Sequence, residues 1–242
     1  MFLLITHNLI LNIERTIKLE NWKVPEHMQS LKGLSVKNFG YDTRSLIDYR
    51  FNTHGFRGDE FDLTGKKLIT IGNSISFGIG LDESQMFSTQ LSSKLNLKLH
   101  NLSLGCYFHE NHDHLANLKI LSEIDSDDIF IIQLNNLDRR RINSNTVVDN
   151  NSKNFCISKL IDYFEQTLEL LKYKTKIFLY WDTIEYDIPK TISDHFLIHN
   201  QFHLDRSIDS NPTTFGIKSH NAVFKTIYSR LSSHKVADKL IS

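Results

Sequence analysis

Short apolar runs, each closed by glycine or polar residues, set the frame of the chain. Leu68-Ile69-Thr70-Ile71 is rich in β-branched residues and stops at Gly72. It lacks the polar alternation of a half-exposed strand, so it reads as a strand buried on both faces, over 67–72. Leu97 and Leu99 alternate ahead of Asn101, Ser103 and Gly105, which predicts a second strand ending at Gly105. Ile129-Phe130-Ile131-Ile132-Gln133-Leu134 predicts a third, and Lys176 to Trp181 a fourth.

Between these runs the apolar period lengthens to that of a helix. Phe87, Leu91 and Leu95 lie four apart and predict a helix over 83–95. Leu115, Leu118 and Leu121 predict one over 109–124. Leu160, Ile161, Phe164, Leu168 and Leu171 are in register over 155–171. A last helix is expected over 218–231, with an end piece over 235–241. Residues 49–60 read as an irregular, glycine-punctuated loop, 125–128 as a polar turn, 143–153 as a polar Asn/Ser loop, and 185–213 as loop-like with short helical pieces. Residues 1–50 give little pattern.

Strand and helix thus alternate from 67 to 231. That order predicts a mostly parallel, doubly wound sheet with helices on both faces, a three-layer α/β/α domain. Residues 61–242 would form it, with 1–60 as an N-terminal extension packed against it.

Composition narrows the function classes. A chain of 242 residues suffices for one such domain with a sizeable core. Lys+Arg and Asp+Glu both number 28, so no net field points to nucleic acid or to an acidic membrane. The two cysteines, Cys106 and Cys156, make neither a disulfide framework nor a zinc pattern and read as reduced core residues. The apolar start, Met1 to Leu11, has no basic leader and no small-residue cleavage site. It is too short to span a bilayer, so a cytoplasmic chain is expected, with this stretch as a buried strand or docking segment.

The chemistry gathers just past the first buried strand, in Gly72-Asn73-Ser74-Ile75-Ser76-Phe77-Gly78. Serine at that place sits at the carboxyl edge of the sheet, where open α/β folds keep their sites. The following helix start offers N–H groups suited to a developing oxyanion.

These blocks resemble the SGNH (GDSL-type) hydrolases, flavodoxin-like α/β/α esterases and lipases, in the right order over roughly residues 49–231. Gly72-Asn73-Ser74 with Phe77-Gly78 is similar to the family's first block, with Asn73 for the usual aspartate. Asn101-Leu102-Ser103-Leu104-Gly105 is similar to the second, and Asp128 to Asn136 to the third. Phe51-Asn52 and Gly55-Phe56-Arg57-Gly58 resemble a lead-in found in a microbial and viral branch. Asp209-Ser210-Asn211-Pro212 with Gly216 is similar to the last block. The resemblance implies Ser74 as nucleophile and Gly105 as an oxyanion donor, with Asn135 or Asn136 beside it; a strict count falls as far as Leu137. It implies Asp209 as the orienting acid. Asn211 stands where the family's histidine is expected, and an amide cannot take a proton from serine. His220 is the substitute base this reading selects, with His195, His199 and His203 as alternatives. The implied activity is hydrolysis of an O-acyl ester of a carbohydrate or other small molecule, without cofactor. A non-catalytic binding protein and an O-acyltransferase are the alternatives.

Further signals lie near these blocks. His109, Glu110, His112, Asp113 and His114 are dense but match no metal-ligand spacing, so no metal is expected. His109 would then contact substrate or open a helix at the mouth of the site. Arg139-Arg140-Arg141 follows the third strand and reads as a solvated turn or as a contact for substrate carboxylate or phosphate, through Arg139. Asn73 is a further candidate for substrate contact. Tyr180 and Trp181 read as core, or as a stacking wall for a sugar.

Overall fold

The computed structural model describes residues 26–37, 47–62, 64–105, 111–122, 127–134, 150–180, 196–199 and 216–233. A short helix α1 (Glu26–Gln29) precedes an antiparallel pair, β1 (Ser35–Lys37) and β2 (Asp48–Arg50). Then come β3 (Lys67–Ile71), a four-residue helix α2 (Ser74–Phe77), a 3-10 turn over Glu83–Gln85, and α3 (Phe87–Leu95). β4 (Lys98–Asn101), α4 (Asn111–Ser122), β5 (Ile129–Leu134) and α5 (Asn150–Leu170) follow. β6 (Thr175–Tyr180), β7 (Phe196–His199) and α6 (Ile217–Ser233) complete the order.

The main sheet runs β4-β3-β5-β6-β7, and every pairing in it is parallel. Counted from β3, that is the 2-1-3-4-5 order of flavodoxin-like winding. Side chains alternate across the sheet. Ile69, Ile71, Phe130, Ile132 and Phe178 face one cluster with Leu118 and Leu121 of α4 and Tyr163 and Phe164 of α5. Leu68, Ile129, Ile131, Ile177 and Leu179 face the other, with Phe87, Leu91 and Leu95 of α3 and Val223, Ile227 and Leu231 of α6. The three-layer α/β/α architecture follows from this alternation, because each strand must be covered twice. Tyr49, Phe51 and Phe56 join the first cluster, so the segment before β3 contributes to the domain core.

Several boundaries differ from the sequence reading. The helix expected over 83–95 is interrupted at Met86, whose extended backbone separates the 3-10 turn from α3. The second strand ends at Asn101, although pairing continues, with the N–H groups of Leu102 and Leu104 donating to the carbonyls of Thr70 and Gly72. Helix α5 begins at Asn150, inside the expected polar loop. β7 lies within the stretch read as loop-like. Its four residues are too few to show a period, and pairing to β6 across a register shift at Phe178/Leu179 holds them extended. The expected polar turn at 125–128 ends in a buried ion pair. Asp128 lies 3.1 Å from the Lys67 ammonium, both under 2 % exposed, and also accepts the Lys67 N–H. No helix among the described residues is long and apolar enough to cross a membrane.

Asp128→Ala leaves the Lys67 charge buried without its counter-ion. Loss of one partner of a buried pair costs about 3–5 kcal/mol. Urea unfolding of the variant at neutral pH is expected to show a loss of that size.

Candidate active site at the carboxyl end of β3

The winding of the sheet reverses at β3, which pairs with β4 on one side and β5 on the other. Open α/β sheets leave a crevice at the carboxyl end of such a strand. Gly72 ends β3 there. Asn73 then takes an extended backbone and caps α2, its Oδ1 accepting the Ile75 N–H at 3.0 Å. Ser74 is the first residue of that helix and is half-buried.

Neighbouring strands hold this turn through two amide side chains. The register that pairs Ile71 with Ile132 sets Gln133 beside Gly72. The Gln133 Oε1 accepts from Ser76 Oγ at 2.7 Å, from the Ser76 N–H at 3.1 Å and from the Asn73 N–H at 3.4 Å. Its Nε2 donates to Asn73 Oδ1 at 2.7 Å. A Cβ on Gly72 would lie 2.7 Å from both Cβ and Oε1 of Gln133, so only glycine lets the amide lie this close. From the other side, the Asn101 Oδ1 accepts from Thr70 Oγ1 and the Ser103 N–H, and its Nδ2 donates to the Ser76 carbonyl at 3.4 Å. The segment 102–105 is buried alongside, ending at Gly105. Ser103 is fully buried, and its Oγ has no hydrogen-bond partner among the described residues.

The backbone N–H groups of Asn73, Ile75, Ser76 and Phe77 are all engaged, by Gln133 or by Asn73 itself. Among the described residues, neither the N–H nor the Oγ of Ser74 has a hydrogen-bond partner. A hydroxyl and an N–H on one residue, both unengaged, are what acyl transfer asks of a nucleophile and its first oxyanion donor.

The turn beyond α2 is tied down by Arg57. This buried guanidinium lies 4.4 Å from the Tyr49 ring centroid and donates to the carbonyls of Phe77, Gly78 and Leu81. Gly78 has φ +82°, and Tyr49 Oη accepts the Gly80 N–H at 2.7 Å.

His220 has a different post from the one expected. It lies in the first turn of α6, 1 % exposed, with its Nδ1 accepting the Phe87 N–H at 3.1 Å and its ring against Phe87. Burial, and secondarily the Arg57 charge, pull its pKa down to about 3. A neutral ring that accepts at Nδ1 carries its proton on Nε2, so neither nitrogen has a lone pair left for the Ser74 proton. His100 is similarly neutral: burial, then the charges of Lys67 and Lys98, hold it at about 3, and its Nε2 accepts the Asp62 N–H.

Of the expected site residues, the structure brings Asn73, Ser74 and the segment ending at Gly105 to one edge. His109, Asn135, Asn136, Arg139, Asp209 and Asn211 lie outside the described residues, as do His195, His203, Cys106 and Trp181. For His112, Asp113, His114, Cys156, Tyr180 and His199 the backbone alone is described. The sequence reading missed Gln133, Ser76, Asn101 and Arg57. A visible signal for Gln133 was its place as a polar residue in an otherwise apolar buried strand.

No protein-family model matches the chain, and no curated protein matches it. Solved structures do. The crystal structure of TesA is 14% identical, with 68% of this chain and 97% of that chain covered and a TM-score of 0.45. A lipolytic protein assigned to the G-D-S-L family from Desulfitobacterium hafniense DCB-2 is 12% identical, with 68% and 98% covered and a TM-score of 0.45. The psychrotrophic esterase EstA from Pseudoalteromonas sp. is 14% identical, with 70% and 98% covered and a TM-score of 0.46.

The two buried imidazoles give a pH signature. Folded, they stay neutral down to about pH 3; unfolded, they take up protons near 6.5. Between those values the unfolded chain binds more protons, so stability falls as pH drops below 6.5. The slope is up to about 1.4 kcal/mol per pH unit for each ring. His220→Gln keeps an acceptor for Phe87, and urea midpoints compared at pH 7 and 5 are expected to shift less in this variant than in the parent.

Proposed function

We propose that the chain is a serine ester hydrolase of the SGNH type. The observation that supports it is the state of Ser74: the backbone N–H groups around it are engaged in holding the turn, while its own N–H and Oγ have no partner among the described residues. In this reading the Ser74 Oγ attacks the ester carbonyl and passes its proton to a base. The oxyanion takes the Ser74 and Gly105 N–H groups and the amide of Asn135 or Asn136. The alcohol leaves, and water releases the acyl group. Because the His220 lone pair is committed to Phe87, we assign the base to His195, His199 or His203, with Asp209 as its orienting acid. The glycines, serines and amides around Ser74 suit a short acyl group on a hydroxyl-rich alcohol, such as an O-acetyl group on a carbohydrate, better than a long apolar chain. If an alcohol replaces water at the acyl-enzyme, the same site is an O-acyltransferase.

The engagement of His220, with Asn211 in the last block, favours a second reading: a binding protein that keeps the scaffold of the site without its base.

Turnover of p-nitrophenyl acetate separates the two. For a hydrolase, Ser74→Ala is expected to reduce turnover to background with an unchanged circular dichroism spectrum, while folded His220→Gln keeps most of it. Unchanged turnover in Ser74→Ala would remove Ser74 from the mechanism. For the binding protein the parent is inactive. Asn211→His then supplies a base and is expected to raise turnover by about 10²-fold, the lower end of what general-base catalysis gives.

A further inference from the structure

We propose that Gln133 is the positioning residue for the nucleophile, a role that rests on the reading of Ser74 given above. Helix α2 has only four residues, and a single turn is not self-supporting. Its geometry must come from outside. Gln133 bonds to the residues on either side of Ser74 and not to Ser74 itself. On the upstream side it takes the Asn73 N–H and gives Nε2–H to Asn73 Oδ1 at 2.7 Å. On the downstream side it takes the Ser76 N–H and Ser76 Oγ–H. Four bonds from one buried amide therefore fix both flanks of the serine, and all the polar atoms of that amide face the turn.

The arrangement also sets the Asn73 amide. Its Oδ1 is drawn inward by two donors, Gln133 Nε2 and the Ile75 N–H. Its Nδ2 is thereby turned away from them, with no partner among the described residues. An aspartate at this position could not donate there. Gln133 thus controls two things at once, the aim of the Ser74 hydroxyl and the direction of a neighbouring amide donor.

A residue that aims the hydroxyl governs the rate of bond formation more than the first encounter with a ligand. The test is the rate of Ser74 phosphonylation by a small fluorophosphonate, in which Oγ displaces fluoride at phosphorus and its proton leaves with the base. Saturation kinetics separate the maximal rate from the half-saturating concentration. Gln133→Met preserves the volume and removes all four bonds. The maximal labelling rate, per folded molecule, is expected to fall by 10-fold or more with the half-saturating concentration within about twofold of the parent. Ser76→Ala removes one of the four bonds and serves where Gln133→Met does not fold; its maximal rate is expected to fall severalfold. A packing role alone would lower the melting temperature and leave the labelling rate of the folded fraction unchanged. Folded variants labelled at the parental rate would overturn the inference while leaving Ser74 in place. A parent not labelled at Ser74 would overturn the reading of Ser74, and this inference with it.

Discussion

The contact between the bare backbone of Gly72 and the amide of Gln133 governs the carboxyl edge of the sheet. Parallel pairing brings β3 and β5 side by side, but pairing ends where β3 must turn into α2. Beyond that point the chain needs another source of order. Because no Cβ projects from Gly72, the Gln133 side chain can lie against the turn and hydrogen-bond both its flanks. From β4, Asn101 reaches one flank only, its Nδ2 donating to the Ser76 carbonyl. The surroundings of Ser74 are therefore an extension of the sheet by side chains, where main-chain pairing has run out.

The same two strands are cross-linked at their other end. Lys67 and Asp128 meet where β3 and β5 begin, both buried. A one-residue slip of β5 would separate that ammonium from its counter-ion and exchange the clusters that the side chains of the strand enter. It would also carry Gln133 away from Gly72. Register is thus marked at both ends: by charge at the amino edge and by an amide at the carboxyl edge.

Much of this frame could be read from residues alone, for identifiable reasons. β3, β5 and β6 are mostly apolar runs, and the helices between them carry apolar residues three or four apart, so the winding followed from their order. β7 was hidden because its four residues take their conformation from β6 across an irregular register. Helix α2 was hidden because it is shorter than any period. The place of Ser74 at the carboxyl edge was legible because Gly72 closes the apolar run just before it. His220 was misplaced because sequence gives proximity to a block but not the direction of a ring; Phe87, more than a hundred residues away, takes its Nδ1. Arg57 looked like part of a loop, and nothing local announces that its partners are carbonyls twenty residues on.

The separations along the chain differ between the two sets of bonds. The bonds from Arg57 to the turn after α2 span 20 to 24 residues, short enough to close while the neighbouring chain is still unstructured. The bonds from Gln133 to Asn73 and Ser76 span 57 to 60, and they require β5 to be docked. Long-range parallel pairings form late in folding. The turn beyond α2 is thus held by a partner close in the chain, and the flanks of Ser74 by one that is distant and lies beside them only through the pairing of β5 with β3.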